Sequence, residues 1–315
     1  MIAHWDEVES TRVDRTPMNA LWTNLGRAAG SVEVGLKRIR LQPGEMPTPP
    51  HVHGQEEEIF FVLAGSGLSW QDGKTYEIRA GDCLVHRTME EAHTLRAGEE
   101  GLDVLAFGMR VRSGYDGYLP RSRAVRFWPP WVESEPVDDP WQREAELGAV
   151  DFPAPEQGKR PATIVNLAEI EVVRDNLGTR RLLGEATGSE LTGLNHVTLE
   201  PGRRGAPPHC HSAEEELFVV LDGDGTLELT PAPIAAERGI EPAQHVVRRG
   251  HVVSRPAGTR VAHSFFAGES GLTYLAYGTR RPNDIAYYPR SNKFYLRGVG
   301  LIGRLEPLGY WDGED

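Results

Sequence analysis

The sequence predicts an all-β protein made of two similar β-domains with few short helices. The 315-residue chain repeats itself, because PPHVHGQEEEIFFVLAG at 49–65 returns as PPHCHSAEEELFVVLDG at 207–223. Its 35 glycines and 23 prolines separate short β-type runs such as VGLKRIRL and TGLNHVTL. Long stretches with helical periodicity are few, so short strands joined by turns are expected.

The repeat also indicates the domain boundaries. Corresponding residues lie 158 positions apart until the second copy gains a segment at 231–244 that the first copy lacks. Insertions of this kind lie in surface loops, and this one could form a lid over the second domain. We therefore predict an N-terminal domain with an N-terminal arm at 1–126, a linker at 127–162 and a C-terminal domain with a C-terminal extension at 163–315.

The linker is rich in proline, acidic residues and tryptophan. Proline stiffens a chain, and Trp128, Trp131 and Trp141 provide large apolar surfaces. The composition therefore predicts a segment held against the protein surface rather than a free tether.

Composition and charge exclude several classes of function. The formal net charge of -12 opposes binding to nucleic acid or to an anionic membrane surface. No apolar run approaches the roughly 20 residues that span a bilayer, and MIAHWDEVES does not resemble a signal peptide. A cytoplasmic location is expected by default. Cys83 and Cys210 are not equivalent in the two copies, so no disulfide is expected.

Each repeat carries a His-x-His pair. Alternate side chains of a β-strand face the same way, so His51 and His53 should point together, as should His209 and His211. Two adjacent imidazoles, followed five residues later by a glutamate, form a pattern typical of metal ligands. The intervening Cys210 should point away from the metal as a buried, inert thiol.

The glutamate of each pattern, Glu58 or Glu216, begins an apolar strand. Both alternating faces of that strand are apolar, which predicts burial on both sides. Either the other domain or a second subunit should cover the outer face, and we expect a homodimer.

Other glutamates precede the predicted ligand in both copies. We interpret Glu56, Glu57, Glu214 and Glu215 as a solvated acidic turn. The alternative is that the ligand spacing is one residue shorter, in which case Glu57 and Glu215 would be the ligands.

These residues resemble the first motif of the cupin superfamily, which consists of a glycine, His-x-His, a glutamate and a second glycine. The matching positions are Gly44, His51, His53, Glu58 and Gly65 in the first copy, and Gly202, His209, His211, Glu216 and Gly223 in the second.

The second cupin motif contains a glycine, Pro-x-Gly and a histidine. GHVVSRPAGTRVAH resembles it and ends at His263. In GDCLVHRTMEEAH of the first copy the corresponding histidine is His93, but Arg87 replaces the proline and the second glycine is missing. The first turn is therefore expected to differ, and the first site is the one expected to have drifted in geometry.

The resemblance covers residues 26–125 and 184–295 and implies a bicupin of two tandem jelly-roll β-barrels. It further implies one divalent transition metal per barrel, held by three histidines and a glutamate. Iron(II) or manganese(II) is favoured, and nickel, cobalt, copper or zinc would also suit these ligands. On an octahedral metal, four protein ligands would leave two adjacent positions for a substrate or dioxygen. The implied ligands are His51, His53, Glu58, His93, His209, His211, Glu216 and His263.

By analogy with other cupins, we predict an oxygenase-type oxidoreductase, a dioxygenase-like enzyme acting on a small organic anion. A metal-dependent isomerase or decarboxylase is the alternative within the same class of site. A non-catalytic ligand-binding cupin is the alternative of another class, although complete ligand sets in both copies speak against storage. Arg38 and Arg40 would suit an anionic substrate if their strand face lines the barrel, and an exposed face is the other interpretation.

Overall fold

The computed structural model describes residues 1–111, 114–127, 131–132, 136–137, 139–176 and 178–314. Most of these residues lie in β-strands, which confirms the all-β class. Within the described ranges the α-helices are short, and none is long and apolar enough to cross a membrane. The helices are α1 (Leu25–Ala28), α2 (Pro140–Glu146), α3 (Leu183–Ala186) and α4 (Pro233–Ala236), with 3-10 turns at Leu167–Glu169 and Arg297–Val299.

The strands follow the sequence repeat in two series. The first series is β1 (Ile2–His4), β2 (Ser10–Arg15), β3 (Met18–Thr23), β4 (Val34–Leu41), β5 (Val52–His53), β6 (Glu58–Gln71), β7 (Lys74–Arg79), β8 (Asp82–His86), β9 (His93–Met109), β10 (Tyr115–Leu119), β11 (Ala124–Phe127), β12 (Trp131–Val132) and β13 (Pro136–Val137). The second series is β14 (Ile164–Asn166), β15 (Val173–Asp175), β16 (Gly178–Arg181), β17 (Thr192–Leu199), β18 (Cys210–His211), β19 (Glu216–Pro231), β20 (Ala243–Arg248), β21 (His251–Arg255), β22 (Val261–Thr279), β23 (Ile285–Tyr288), β24 (Lys293–Leu296) and β25 (Leu301–Arg304).

Each half forms one large antiparallel sheet and one small sheet. The first large sheet has the order β14-β8-β6-β9-β4-β3-β2, with β7 paired to β6, and the first small sheet has the order β13-β12-β11-β10-β5. The second large sheet has the order β1-β21-β19-β22-β17-β16-β15, with β20 paired to β19, and the second small sheet has the order β18-β23-β24-β25. The family resemblance implied barrels, but the sheets do not close into hydrogen-bonded barrels. Isolated bridges from His51 to His93 and from His209 to His263 join the small sheet to the large one in each half.

The two halves exchange one strand each. The N-terminal strand β1 pairs with β21 of the second large sheet, placing Ile2 opposite Val253. In return β14, which follows the linker, pairs with β8 of the first large sheet, placing Ile164 opposite Leu84. Strand hydrogen bonds therefore cross the predicted domain boundaries at 126 and 163 in both directions.

The long strand β6 is buried on both faces, as alternation predicts. Phe60 and Val62 point into the core of the first half. Ile59 and Phe61 point into a second core, which the two large sheets share and to which β19 contributes Leu217. The other half therefore covers the outer face. Because this explains the apolar face within one chain, the face no longer argues for a second subunit, and the homodimer stays a prediction.

The last glycine of each motif is required by a close approach of two strands. Gly65 has a φ of 80°, and a Cβ atom here would lie 2.1 Å from the carbonyl oxygen of Gly101. Gly223 has a φ of 76° and the same 2.1 Å approach to Gly271. The register of β6 and β19 shifts next to these glycines, as in a β-bulge. Only glycine fits such a position without moving the backbone.

The linker lies against the first half. Thr75 Oγ1 donates a hydrogen bond to the carbonyl of Pro153 (2.7 Å), and the backbone N–H of Glu156 donates to the carbonyl of Thr75 (2.9 Å). Of the tryptophans predicted to hold the linker in place, Trp141 lies on α2 beside the first site, whereas Trp128 lies outside the described residues.

A glutamate adjacent to Glu58 reaches into the second half. Glu57 is only 1% exposed, and its carboxylate accepts hydrogen bonds from Ser189 Oγ (2.8 Å), Glu190 N (2.6 Å), Thr192 N (3.1 Å) and Thr192 Oγ1 (3.0 Å). Neighbouring residues of a strand face opposite ways. Because Glu58 points into the first half, Glu57 points across the interface.

Glu215 makes the reciprocal contact. It is also 1% exposed, and its carboxylate accepts hydrogen bonds from the three consecutive backbone N–H groups at 32–34 and from Ser254 Oγ (3.1 Å). The interpretation as a solvated acidic turn is therefore wrong for Glu57 and Glu215. Buried N–H donors of the opposite half require an acceptor, and these two carboxylates supply it. We call this pair the reciprocal glutamate clamp.

Replacing Glu215 with alanine should lower the free energy of unfolding by about 3 kcal/mol, because buried donors lose a charged acceptor. Glu57→Ala should act in the same direction. Urea denaturation followed by circular dichroism measures the change. Glu241→Ala, at an exposed glutamate, is the control and should alter stability by less than about 0.5 kcal/mol. Equal stability of Glu215→Ala and Glu241→Ala would show that the clamp does not stabilise the fold.

Candidate metal centres

Three histidines converge on one carboxylate oxygen in the first half. His53 Nε2 and His93 Nε2 each lie 3.2 Å from Glu58 Oε2, and His51 Nε2 lies 3.8 Å from it. Their ligand atoms all lie within 4.8 Å of one another. Backbone hydrogen bonds of 3.2 and 3.0 Å between His51 and His93 hold two of these residues side by side. The structure thus brings together the four residues predicted as the first ligand set.

The second half repeats the arrangement. His263 Nε2 lies 3.0 Å from Glu216 Oε2, His211 Nε2 lies 3.4 Å from it, and His209 Nε2 lies 3.9 Å from it. Backbone hydrogen bonds of 3.3 and 2.9 Å again join the first and last histidines. The six predicted histidine ligands therefore each face one of the two predicted glutamate ligands, while the alternative ligands Glu57 and Glu215 lie in the interface.

His211 is oriented by a carboxylate that sequence reasoning missed. Its Nδ1 lies 2.7 Å from Asp284 Oδ2, which is the shortest contact of this imidazole in the ion pairs described. The backbone N–H groups of Ala213 and Glu214 donate to the other oxygen of Asp284 at 2.9 and 3.1 Å. With the proton of His211 on Nδ1 and donated to Asp284, the lone pair of Nε2 faces Glu216. Asp284 is 2% exposed.

The first half uses a different residue for the same purpose. His53 Nδ1 lies 3.0 Å from Glu56 Oε1, so Glu56 orients His53 from within the motif. The corresponding Glu214 is instead 2% exposed and accepts hydrogen bonds from the Arg281 backbone N–H (2.6 Å) and from Arg297 Nη2 (2.5 Å). The expected solvated acidic turn is therefore wrong for Glu214 as well.

The turn before His93 keeps its shape without the glycine of the motif. Met89 has a φ of 59°, close to the 69° of Gly258 at the equivalent place. The backbone N–H of Met89 donates to the carbonyl of His53 at 2.9 Å, just as that of Gly258 donates to the carbonyl of His211 at 2.9 Å. The expectation that the turn differs is therefore wrong.

An interface contact accompanies the missing proline. Arg87 stands where the second half has Pro256, and its Nε donates to the carbonyl of Gly188 in the other half at 2.9 Å. The four first-half ligand atoms lie within 4.8 Å of one another, whereas in the second half the same limit joins His209, Glu216 and His263 but not His211. The first site, which was expected to have drifted, is thus the more compact one.

Two buried residues distinguish the surroundings of the centres. His86 stacks on His93 with ring centroids 3.7 Å apart, and its Nδ1 lies 2.9 Å from Glu91. Burial lowers the pKa of His86 to about 3, which keeps the imidazole neutral. At the equivalent ladder position, opposite Glu216, the second half has Arg255, which is 7% exposed. Arg255 is the last residue of β21, and it adds a positive charge beside the second centre.

The electrostatics of both centres favour a bound cation. Burial lowers the pKa of His53, but the carboxylates of Glu56 and Glu58 outweigh it and raise that pKa to about 10. Burial also lowers the pKa of His211, but the carboxylates of Glu216 and Asp284 outweigh burial and raise that pKa to about 10. Without a metal, each centre therefore holds a proton that a metal ion would displace.

The donor set fits a divalent transition metal. His211 Nε2 and Glu216 Oε2 are buried, and neither has a hydrogen-bond partner among the described residues. Buried polar atoms without partners are unfavourable, and a metal ion that displaces the proton of His211 would satisfy both atoms. Imidazole nitrogens with one carboxylate oxygen suit manganese, iron, nickel, cobalt, copper or zinc.

Cys210 contributes nothing to this set. It belongs to neither ligand group, as alternation predicts. The thiol is half-buried rather than fully buried, and burial raises its pKa. It therefore stays protonated and unreactive near neutral pH.

Each centre adjoins a cavity of different size and lining. The first cavity has a volume of about 430 Å³ and lies between the ligands, the first small sheet and α2. The second cavity has a volume of about 160 Å³ and extends into the core of the second half. Residues 231–244, which could have formed a lid, do not line the second cavity. They run from the end of β19 through α4 and a turn to the start of β20.

The cations that line the first cavity are not Arg38 and Arg40, which the sequence suggested. Arg38 pairs with Asp103 at 2.7 Å and lies over the ring of Trp5, a residue of the shared core. By strand alternation its neighbour Lys37 faces the opposite way, and Lys37 lines the first cavity together with Arg126.

Comparison with known proteins identifies a cupin domain at residues 37–107. No curated protein sequence matches the chain. Solved structures match over both halves. An oxalate decarboxylase of Lactobacillus farciminis in a formate complex is 13% identical, with a TM-score of 0.59, and the match covers 89% of this chain and 86% of that one.

Two structures of the oxalate decarboxylase of Bacillus subtilis give similar results. The structure at pH 4.6 is 16% identical, with a TM-score of 0.58 and coverage of 88% of this chain and 75% of that one. A structure concerned with the manganese(II) centres of the enzyme is 15% identical, with a TM-score of 0.58 and coverage of 90% and 78%. At these identities the likeness shows a shared tandem fold.

Replacing Asp284 with alanine should weaken metal binding at the second centre by about tenfold to a hundredfold, because His211 loses the group that orients it. The first centre should be unaffected. Titration of metal-free protein with manganese(II), followed by calorimetry, resolves the two sites. Asp312→Ala, at an exposed aspartate, is the control. Unchanged affinity at both sites would show that Asp284 has no orienting role.

Metal binding should release about one proton per metal ion between pH 6 and pH 8. His53 and His211 have pKa values of about 10 in the metal-free protein, so both are protonated in this range and must lose a proton to bind metal. Affinity should therefore rise by about tenfold per pH unit. Calorimetry in two buffers of different ionisation enthalpy counts the protons. Metal binding without proton release would contradict the assignment of His53 and His211 as ligands that are protonated in the metal-free protein.

Proposed function

We propose that this chain, a member of the cupin superfamily with the tandem cupin fold, is a metal-dependent enzyme acting on a small organic anion. One observation carries the proposal. In each half, three imidazole Nε2 atoms lie between 3.0 and 3.9 Å from a single buried carboxylate oxygen beside a cavity. A structural protein gains nothing from two such sets, since ionisable groups are costly to bury.

We propose that His51, His53, Glu58 and His93 hold one divalent metal and that His209, His211, Glu216 and His263 hold another. Manganese(II) is favoured because the Bacillus subtilis enzyme of the same fold has manganese(II) centres. When bound, such a metal would supply a Lewis acid that polarises substrate oxygens.

Decarboxylation fits better than the oxygenation predicted by analogy from the sequence. The solved structures of similar tandem fold reported above are named as oxalate decarboxylases. In a decarboxylation the C–C bond to a carboxylate breaks, carbon dioxide leaves, and a proton takes its place, so no oxidant is consumed overall. Fold alone does not select the reaction, and the oxygenase remains the competing hypothesis.

The protein residues would bind and orient the anion. Lys37 and Arg126 place positive charge at the first cavity, and Arg180 does so at the second. Glu56 and Asp284 hold protons at Nδ1 of His53 and His211, which leaves both Nε2 lone pairs directed at the centre. Burial raises the pKa of the Tyr274 phenol beside the second cavity, so its hydroxyl remains a hydrogen-bond donor.

The manganese(II)-loaded protein should release carbon dioxide from oxalate or another small carboxylate without consuming an equivalent amount of dioxygen. The reason is that decarboxylation is redox-neutral overall. Carbon dioxide release and an oxygen electrode, used on the same sample, provide the measurement.

Two double variants serve as controls. His51→Ala/His53→Ala and His209→Ala/His211→Ala should each reduce the metal content from two ions to one per chain, and together they show which centre supports turnover. Stoichiometric oxygen uptake would favour the oxygenase. Full metal content in both variants, or no metal in the purified wild type, would contradict the proposal of a metal-dependent enzyme.

A further inference from the structure

The two centres differ in how their entrances are built. In the second half Tyr288 stacks on His209, with ring centroids 5.7 Å apart and planes inclined by 26°. Tyr287 lies opposite Cys210 in the second small sheet, as Tyr118 lies opposite Val52 in the first. The residue after Tyr118 is Leu119, so the first half has no ring at the position of Tyr288. The second centre therefore has an aromatic ring against its first histidine, and the first centre has the smaller Leu119 at that position.

Larger side chains also fill the core of the second half beside its centre. Strand register places Val104 of the first half at the position of Tyr274 in the second, because each lies opposite a valine of β6 or β19. Leu95 likewise corresponds to Phe265. The larger rings occupy the core of the second half and line its cavity, which has a volume of about 160 Å³ against about 430 Å³ in the first.

One cation at the first cavity has no carboxylate partner among the described residues. Arg126 pairs with Asp116 at 3.0 Å, whereas no carboxylate of the described residues lies within 4.0 Å of Lys37 Nζ. Lys37 Nζ lies 5.1 Å from the centroid of the Trp22 ring. The indole N–H of Trp22 is buried, and it too has no partner in the described part of the chain. An anion in the cavity would pair with the exposed ammonium group of Lys37.

Three aromatic side chains contribute to the walls of the first cavity. Trp22 contributes from β3, Tyr118 from β10 and Trp141 from α2. Aromatic walls favour flat apolar ligands, which they contact by stacking or edge-to-face packing. A volume of about 430 Å³ is also within the range of organic ligand sites, whereas about 160 Å³ is below it.

We propose that the first cavity binds an aromatic carboxylate, with the carboxylate at Lys37 and the ring against Trp22, Tyr118 and Trp141. The second cavity admits only anions of a few atoms, such as oxalate. This inference rests on the proposed function, because it specifies the substrate class of a site whose metal is itself proposed. It makes the duplicated centres chemically distinct.

The test is calorimetric titration of the full manganese(II)-loaded chain with two probes, hydroxynaphthoate as the aromatic carboxylate and oxalate as the small one. Hydroxynaphthoate should bind once per chain and oxalate twice. The His51→Ala/His53→Ala variant should lose hydroxynaphthoate binding, and His209→Ala/His211→Ala should retain it. Quenching of tryptophan fluorescence on binding provides a second readout, since Trp22 and Trp141 line the site.

A lysine pair provides the matched control. Lys37→Met should weaken hydroxynaphthoate binding by about fivefold, the upper range for an exposed ion pair. Lys74→Met, at an exposed lysine of the β6–β7 hairpin, should leave it unchanged. Equal effects of the two substitutions, binding at both centres, or binding lost only in the second-half variant would each overturn the inference.

The inference and the proposed function fail separately. Release of carbon dioxide from oxalate, combined with hydroxynaphthoate binding at neither or both centres, would overturn only the inference. Hydroxynaphthoate binding once per chain with the predicted dependence on Lys37, but without carbon dioxide release from any carboxylate, would support the ligand class and overturn the decarboxylase.

Discussion

The alternation of side chains along β6 and β19 is the constraint on which the rest of the structure depends. Glu58 points into the first half toward three histidines, and the preceding Glu57 must therefore point the other way, into the second half. A single pair of adjacent carboxylates thus positions a centre and fixes the interface. Because Glu215 and Glu216 repeat this in the opposite direction, each centre is only one residue away from the contact that holds the halves together.

The two halves share the same ligand positions, but the residues that orient the ligands differ. The histidine and glutamate atoms meet similarly in both halves because strand register and the bridges at His51 and His209 fix them. The groups behind them differ, since Glu56 orients one histidine from within the motif and Asp284 orients its counterpart from the residue just before β23. Ligand geometry is set by the backbone ladder, whereas an orienting carboxylate needs only to reach Nδ1 and can come from several places.

The same distinction explains what the sequence could predict. The all-β class, the two-sided burial of β6 and the His-x-His pairs that meet Glu58 and Glu216 followed from local patterns of period two and from the repeat. The third histidine of each set, His93 or His263, followed from the resemblance to the second cupin motif. The roles of Glu57 and Asp284 did not, because each depends on a partner far away in the chain. The exchange of β1 and β14 was also unpredictable, since three-residue strands carry almost no periodic signal.

The two halves have the same ligands but different residues around them, so the two centres can differ in the anions that they admit. Leu119 and Tyr288, or Val104 and Tyr274, alter the space beside a centre without touching the ladder that fixes its ligands. A neutral His86 beside one centre and a charged Arg255 beside the other change the local charge in the same independent way. The clamp keeps the strands fixed while these positions vary. Two centres with the same donor atoms can therefore admit anions of different size.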